Sequence, residues 1–220
     1  MEQIQQRRNN RIVLLSIIGI PVTMILAASW LWYFVVQGDL DLVGTLGTAN
    51  RGTLVQPPRQ IDDAELKDQN GYLFKYADME RKWSLLVPSS GPACNSSCEY
   101  SLYITRQIHV AMGKEFNRLR RLYVSDALLA DTLLAVETLS DQQRPAPADF
   151  ETLLQAEHRG MKSVVTSPAA VAQLFPEYAR DQTTWYLVDP AGWIMMSYNS
   201  EIPYKDVISD LKFLLKNSSE

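Results

Sequence analysis

The chain has 220 residues, of which 46% are hydrophobic and 21% charged, and carries a net charge of −4. That length suits one ordinary domain with room for an anchor and a linker. The acidic balance, without a basic stripe, argues against a nucleic-acid partner, and two cysteines with two histidines leave no zinc-like cluster.

The first element is an uncharged apolar run, Ile12–Val36, of 25 residues. As a helix it would extend roughly 37 Å at 1.5 Å per residue, enough to cross a hydrocarbon core of about 30 Å with some tilt. Pro21 removes one backbone hydrogen bond, which membrane spans tolerate. Trp30, Trp32 and Tyr33 fall near its far end, where amphipathic rings favour the headgroup level. Arg7, Arg8 and Arg11 precede the run, and Asp39 and Asp41 follow it. The positive-inside rule then expects residues 1–11 in the cytoplasm, 12–36 as a transmembrane helix, and the rest outside. Ala27-Ala28-Ser29 resembles a signal-peptide cleavage site, but the apolar run continues past it. A single span excludes a transporter or channel acting alone. Three arginines and one glutamate precede residue 38, which leaves 18 basic and 24 acidic residues beyond it, a net of −6.

Residues 37–60 read as a linker, with Gly38, Gly44, Gly47, Gly52 and Pro57-Pro58 and little apolar periodicity. Residues 61–220 fit one domain. Trp83–Pro88 is a short apolar run of the kind that forms a buried strand. Ser89–Pro92 is a tight loop, and Cys94-Asn-Ser-Ser-Cys98 follows at once. A helix is expected from about Cys98 to Arg118, with Leu102, Ile108, Met112 and Phe116 on one stripe. Leu119–Val124 reads as a second strand, Asp126–Leu139 as partly helical, and Asp141–Pro147 as an overhanging loop. Asp149 is a candidate N-cap for a surface helix that ends near His158. Lys162–Thr166 is a third strand, and Ser167-Pro168 opens a short helix. Thr184–Val188 and Trp193–Tyr198 are strands joined by the turn Asp189-Pro-Ala-Gly192. Pro203–Lys216 closes the chain as an amphipathic helix, with Val207, Leu211, Leu214 and Leu215 facing inward. The order is an early βαβ unit followed by a ββα end. It predicts an α/β fold: a thioredoxin-like domain behind one N-terminal transmembrane helix.

Chemistry concentrates at the two cysteines. A loop that leaves a strand and enters a helix puts Cys94 near a helix N-terminus, where backbone N–H groups favour the thiolate. If both cysteines were helical, their Cα atoms would lie roughly 6 Å apart, within reach of a disulfide. A thiolate is also a soft ligand that suits Cu(I).

The three-residue spacer between the cysteines, the strand ahead of them, Lys162–Phe175 and Tyr186-Leu-Val-Asp-Pro-Ala-Gly192 together resemble the Sco/SenC family. Those are membrane-anchored, thioredoxin-like factors that assemble the copper centre of cytochrome c oxidase. The resemblance covers most of Trp83–Lys216 together with the anchor. It implies a bacterial-type inner-membrane protein, cytoplasmic at its N-terminus and periplasmic in its domain, with oxidase subunits or their assembly factors as partners. It implies Cys94 as the more exposed nucleophile, Cys98 as the resolving thiol, and both as copper ligands. Two departures stand out. Asn95 and Glu99 occupy positions where the family has proline, and Asp181 occupies the position of its copper-binding histidine. A carboxylate is a poor substitute for imidazole on Cu(I). Neither His109 nor His158 is placed by the sequence to replace it, and of the adjacent pair Met195-Met196 at least one is expected in the core. The readings left open are a Sco-like role in cytochrome c oxidase biogenesis through the dithiol, a general thiol–disulfide oxidoreductase, and a scaffold or binding module whose cysteines form a structural clip.

Overall fold

The computed structural model describes residues 2–37 and 50–218. These fall in two compact units divided between Ala49 and Asn50.

The first unit is the helix α1 (Glu2–Gln37), with Pro21 inside it. Over residues 15–30 apolar side chains occur on all its sides rather than on one face, unlike a helix that docks on a soluble core. Among the described residues no helix is long and apolar enough to cross a membrane. The unbroken run of described side chains in α1 is 15–30, nearly all exposed, and it is shorter than the uncharged stretch Ile12–Val36 from which an anchor is expected.

The second unit is built on an eight-stranded sheet. Its strands, in chain order, are β1 (Thr53–Gln60), β2 (Leu66–Lys67), β3 (Leu73–Phe74), β4 (Trp83–Ser89), β6 (Leu119–Ser125), β8 (Lys162–Val165), β9 (Trp185–Val188) and β10 (Trp193–Tyr198). They lie in the spatial order β1-β10-β9-β4-β6-β8-β2-β3. The centre, β4-β6-β8, is parallel, and β9, β10 and β1 continue one side antiparallel. Two further short strands, β5 (Ala93–Cys94) and β7 (Leu133–Leu134), pair with each other outside this sheet.

The central strands alternate between two cores, as the two-residue period of a strand requires. Leu85, Val87, Tyr123 and Leu187 face one side, with α2 (Ser96–Ala111), α3 (Phe150–Glu157) and α6 (Tyr204–Asn217). Leu86, Leu122, Val124, Tyr186 and Val188 face the other, with α4 (Pro168–Leu174) and α5 (Pro176–Arg180). Local signals set where the helices begin. The side chains of Asn95, Asp149 and Ser167 accept hydrogen bonds from the N–H groups of Cys98 (3.1 Å), Thr152 (2.7 Å) and Ala170 (3.2 Å), so each satisfies an otherwise orphaned helix donor. Gly192 closes the hairpin turn at φ +91°, where a side chain would also strike Gln60.

Several expectations are corrected. Residues 53–60 of the expected linker are strand β1, while 38–49 lie outside the described residues. Pro57-Pro58 is tolerated because β1 is an edge strand, and its register against β10 shifts between Leu54 and Arg59. Its start is fixed from far along the chain. One carboxylate oxygen of the buried Asp210 accepts from the N–H groups of Arg51 (2.8 Å) and Gly52 (3.0 Å). Gly52 sits where an added Cβ would come within 2.5 Å of the Tyr198 ring, so only glycine fits. The helix begun at the cysteines ends at Ala111 and tightens into a 3₁₀ segment, Gly113–Arg118. The stretch 126–139 holds a 3₁₀ turn, Leu129–Asp131, the short β7 and a single bridge from Thr138 to Pro145, with no α-helix. Asp141–Pro147 is pinned rather than overhanging: Asp141 pairs with Arg106 and Arg144, each at 2.9 Å. Leu214 is half-buried, whereas Val207, Leu211 and Leu215 are in the core.

Candidate functional site

Cys94 and Cys98 are joined in a disulfide, with S–S 2.04 Å and Cα atoms 5.2 Å apart. Cys94 ends β5, and Cys98 lies in the first turn of α2. The expected difference in accessibility is absent: Cys94 is 0% and Cys98 3% exposed. Both belong to the apolar cluster that contains Leu85, Val87, Leu102 and Leu139.

Long-range contacts close the site. On one side β7 pairs with β5, and the N–H of Ala135 donates to the carbonyl of Cys94 at 2.9 Å. On the other side the loop after α5 reaches the motif. The Asn95 amide donates to Gln182 Oε1 at 3.0 Å, and Ser101 Oγ donates to the Thr183 carbonyl at 3.3 Å. Glu99, 4% exposed, accepts from both the N–H and the hydroxyl of Ser140. Asn95 and Glu99, which stand where the resembled family has proline, thus each hold a distant loop beside the disulfide. Asn95 does so while also capping α2. Gln182 and Ser140 carry no local sequence signal, because they lie 87 and 41 residues from their partners.

Asp181 follows α5 and is turned into its own loop. Its Oδ1 accepts from the Thr183 N–H (2.9 Å) and hydroxyl (2.7 Å), and its Oδ2 from the Asn199 amide (3.0 Å). Partial burial works to raise its pKa, but the bonds from Thr183 and Asn199 outweigh that and hold the carboxyl below its usual range. The histidines are engaged elsewhere. His109 stacks on Phe116 with ring centroids 3.9 Å apart and has Nε2 3.0 Å from the Phe116 carbonyl. His158 is not on a surface: it is 3% exposed, with Nδ1 2.9 Å from Arg121 Nη1. Arginine can only donate, so this Nδ1 accepts and the ring is neutral. Met196 is buried and Met195 half-buried.

These residues do not fit a copper(I) site. The two sulfurs are bonded to each other, the position of the expected third donor carries a carboxylate with both oxygens occupied, and no imidazole is near enough to replace it. Among the described residues no group of three or more His, Cys, Asp and Glu is arranged to hold a metal. The disulfide can still undergo thiol exchange, provided its cover opens to admit a second thiol.

Comparison with known proteins agrees with this architecture. No match was found among curated protein sequences. Copper-bound yeast Sco1 superposes with a TM-score of 0.51 at 16% identity, covering 79% of this chain and 97% of that one. Apo Sco1 from Thermus thermophilus gives 0.50 at 20% identity, covering 76% and 99%. At such identities the likeness is one of fold. A family model described as "Transmembrane-like, thioredoxin-like, C-terminal domain" matches residues 83–144 and 136–218. Those matches cover more than half of the chain, both cysteines and the hairpin included, and the chain therefore belongs to that thioredoxin-like family and has the fold of the Sco proteins.

Proposed function

We propose that this is a membrane-anchored, Sco-like protein that aids cytochrome c oxidase biogenesis through thiol–disulfide exchange at Cys94–Cys98, without carrying copper. The observation that supports it most is a closed Cys-x-x-x-Cys disulfide at a helix N-terminus, with the Asp181 carboxylate hydrogen-bonded at the position of the expected histidine. In the reduced form the Cys94 thiolate, favoured by the first N–H groups of α2, attacks a partner disulfide and expels one partner thiolate. Cys98 then attacks Cys94, releases the second partner thiolate and restores the internal disulfide. Two electrons pass to the partner, which emerges as a dithiol. The uncharged apolar stretch Ile12–Val36 supports the anchor.

The test uses Cys98→Ser in the full chain. Exchange predicts a mixed disulfide trapped through Cys94, with an oxidase subunit or an assembly factor recovered on it. Stoichiometric, tight Cu(I) binding by the reduced wild type, lost in Cys94→Ser, would restore the copper-chaperone reading instead.

Burial of both sulfurs favours a second reading, a binding module in which the disulfide is a clip. Closing so short a loop stabilises by about 2 kcal/mol in the chain-entropy account. On this reading a double Cys→Ser variant retains oxidase assembly in cells.

A further inference from the structure

At the end of the sheet where β4, β6 and β8 begin, opposite the disulfide, lies a cavity of about 490 Å³. Of the residues that line it six are lysine or arginine and two are glutamate. Both acids are already committed: Glu80 pairs with Lys82 at 2.9 Å, and Glu157 with Arg106 at 2.7 Å and Arg144 at 3.1 Å. On the wall sits Arg121, only 5% exposed. Its one described side-chain partner is the neutral His158, and among the described residues no carboxylate pairs with it. Burial, and then repulsion from Arg106, lowers its pKa to about 10, which still leaves it charged at neutral pH. Arg120 also borders this space, but its guanidinium lies over the Tyr76 ring at 5.8 Å, toward the other core, and takes no part in the anchor. Arg159 and Lys162 are exposed on the rim.

A buried guanidinium without a counter-charge is costly, and proteins normally pair or solvate such groups. Here the missing charge is negative and the space beside it is of small-molecule size. Phosphate is well matched to arginine, because the guanidinium fork can donate two parallel bonds to it. Val110 and Phe116 line part of the wall and give an apolar surface for an organic group.

We propose that this cavity binds the phosphate group of a small molecule, with Arg121 as the buried anchor and Arg159 and Lys162 as the rim that draws the anion in. The site is separate from the cysteines and does not depend on their chemistry. The same phosphate chemistry occurs on a lipid headgroup, so the lipid composition is varied in the test.

The full chain is placed in nanodiscs of neutral lipid and its melting temperature followed against inorganic phosphate and phenyl phosphate, with chloride at matched ionic strength as control. The wild type should show a saturable rise of roughly 8 °C at a hundred-fold excess over Kd. The double variant Arg159→Gln/Lys162→Gln should melt at the wild-type temperature without phosphate and bind at least ten-fold more weakly. Arg121→Met should lose the response altogether. Should that variant fail to fold, the rim variant alone decides. In phosphatidylglycerol nanodiscs an unchanged response assigns the site to a soluble phosphate, and a raised starting temperature with no further response assigns it to the lipid. The proposal is overturned if phosphate stabilises the wild type no more than chloride does, or if the rim variant responds as the wild type does.

Discussion

The two ends of the central sheet are opposites. At the end where β4 runs out, the recognisable motif is closed and its polar atoms are satisfied. The sulfurs are bonded to each other, and Asn95, Glu99 and Asp181 all spend their polar atoms on neighbouring loops. At the end where β4 begins, no motif is visible, yet a buried guanidinium, Arg121, faces open space with no carboxylate pairing with it among the described residues. A motif marks where a sequence resemblance lies, and a buried charge without a counter-charge marks where an anion would be favoured. In this chain the two do not coincide.

That contrast can be broken from either end. The largest effect is expected in the packing beneath the disulfide. Trp185 is 2% exposed and stacks on Tyr198 with centroids 4.6 Å apart. Trp185→Ala should cost about 3–5 kcal/mol in a denaturant titration. A loss under 1 kcal/mol would show that this end is not the tightly packed one.

The next effect belongs to the charged end and is read by pH. Burial, then the adjacent Arg121 and Arg106, outweigh the opposing pull of Glu157 and depress the His158 pKa to about 3, below its unfolded value of 6.5. The unfolded chain therefore takes up a proton below pH 6.5 that the folded chain refuses. The stabilising contribution is present above 6.5 and falls by up to about 1.4 kcal/mol per pH unit on the way toward 3. Glu157, held at about 2 by Arg144 and Arg106, adds a second loss as pH falls through 4.5 toward 2. Stability measured between pH 7 and 4.5 should decline in the wild type and decline less in His158→Gln. Equal slopes would remove His158 from the account.

Two smaller effects return to the disulfide. Replacing both cysteines by serine should cost about 2 kcal/mol. Asn95→Ala removes a helix cap and the bond to Gln182 and should cost about 1 kcal/mol. It should also speed reduction of the disulfide by a small thiol, followed by free-thiol labelling. An unchanged rate would mean that the 181–183 loop is not part of the cover.

Much of the fold was legible because its strands are dense apolar runs: Trp83–Ser89, Leu119–Ser125 and Trp185–Val188 announce themselves. The helix starts were legible too, since Asp149 and Ser167-Pro168 are local signals. Strand β1 was not, because its prolines and polar residues follow the rule for an edge and not for a buried strand. Strands β2, β3, β5 and β7 have two residues each, too few to show a period. At the candidate site the sequence placed Cys94 and Cys98 at a helix start but could not bury them, since β7 and the 181–183 loop that cover them are distant in the chain. The burial of His158 was equally hidden, because its partner Arg121 lies 37 residues away on strand β6.

The clamp that Asp210 places on the N–H groups of Arg51 and Gly52 has a mechanical consequence. Tension arriving along the chain from before residue 50 meets the folded unit at that point. Before β1 can unzip from β10, both bonds to the carboxylate must shear together, and they are anchored in the final helix. Residues at the two extremities of the unit, 159 positions apart, thus share one load.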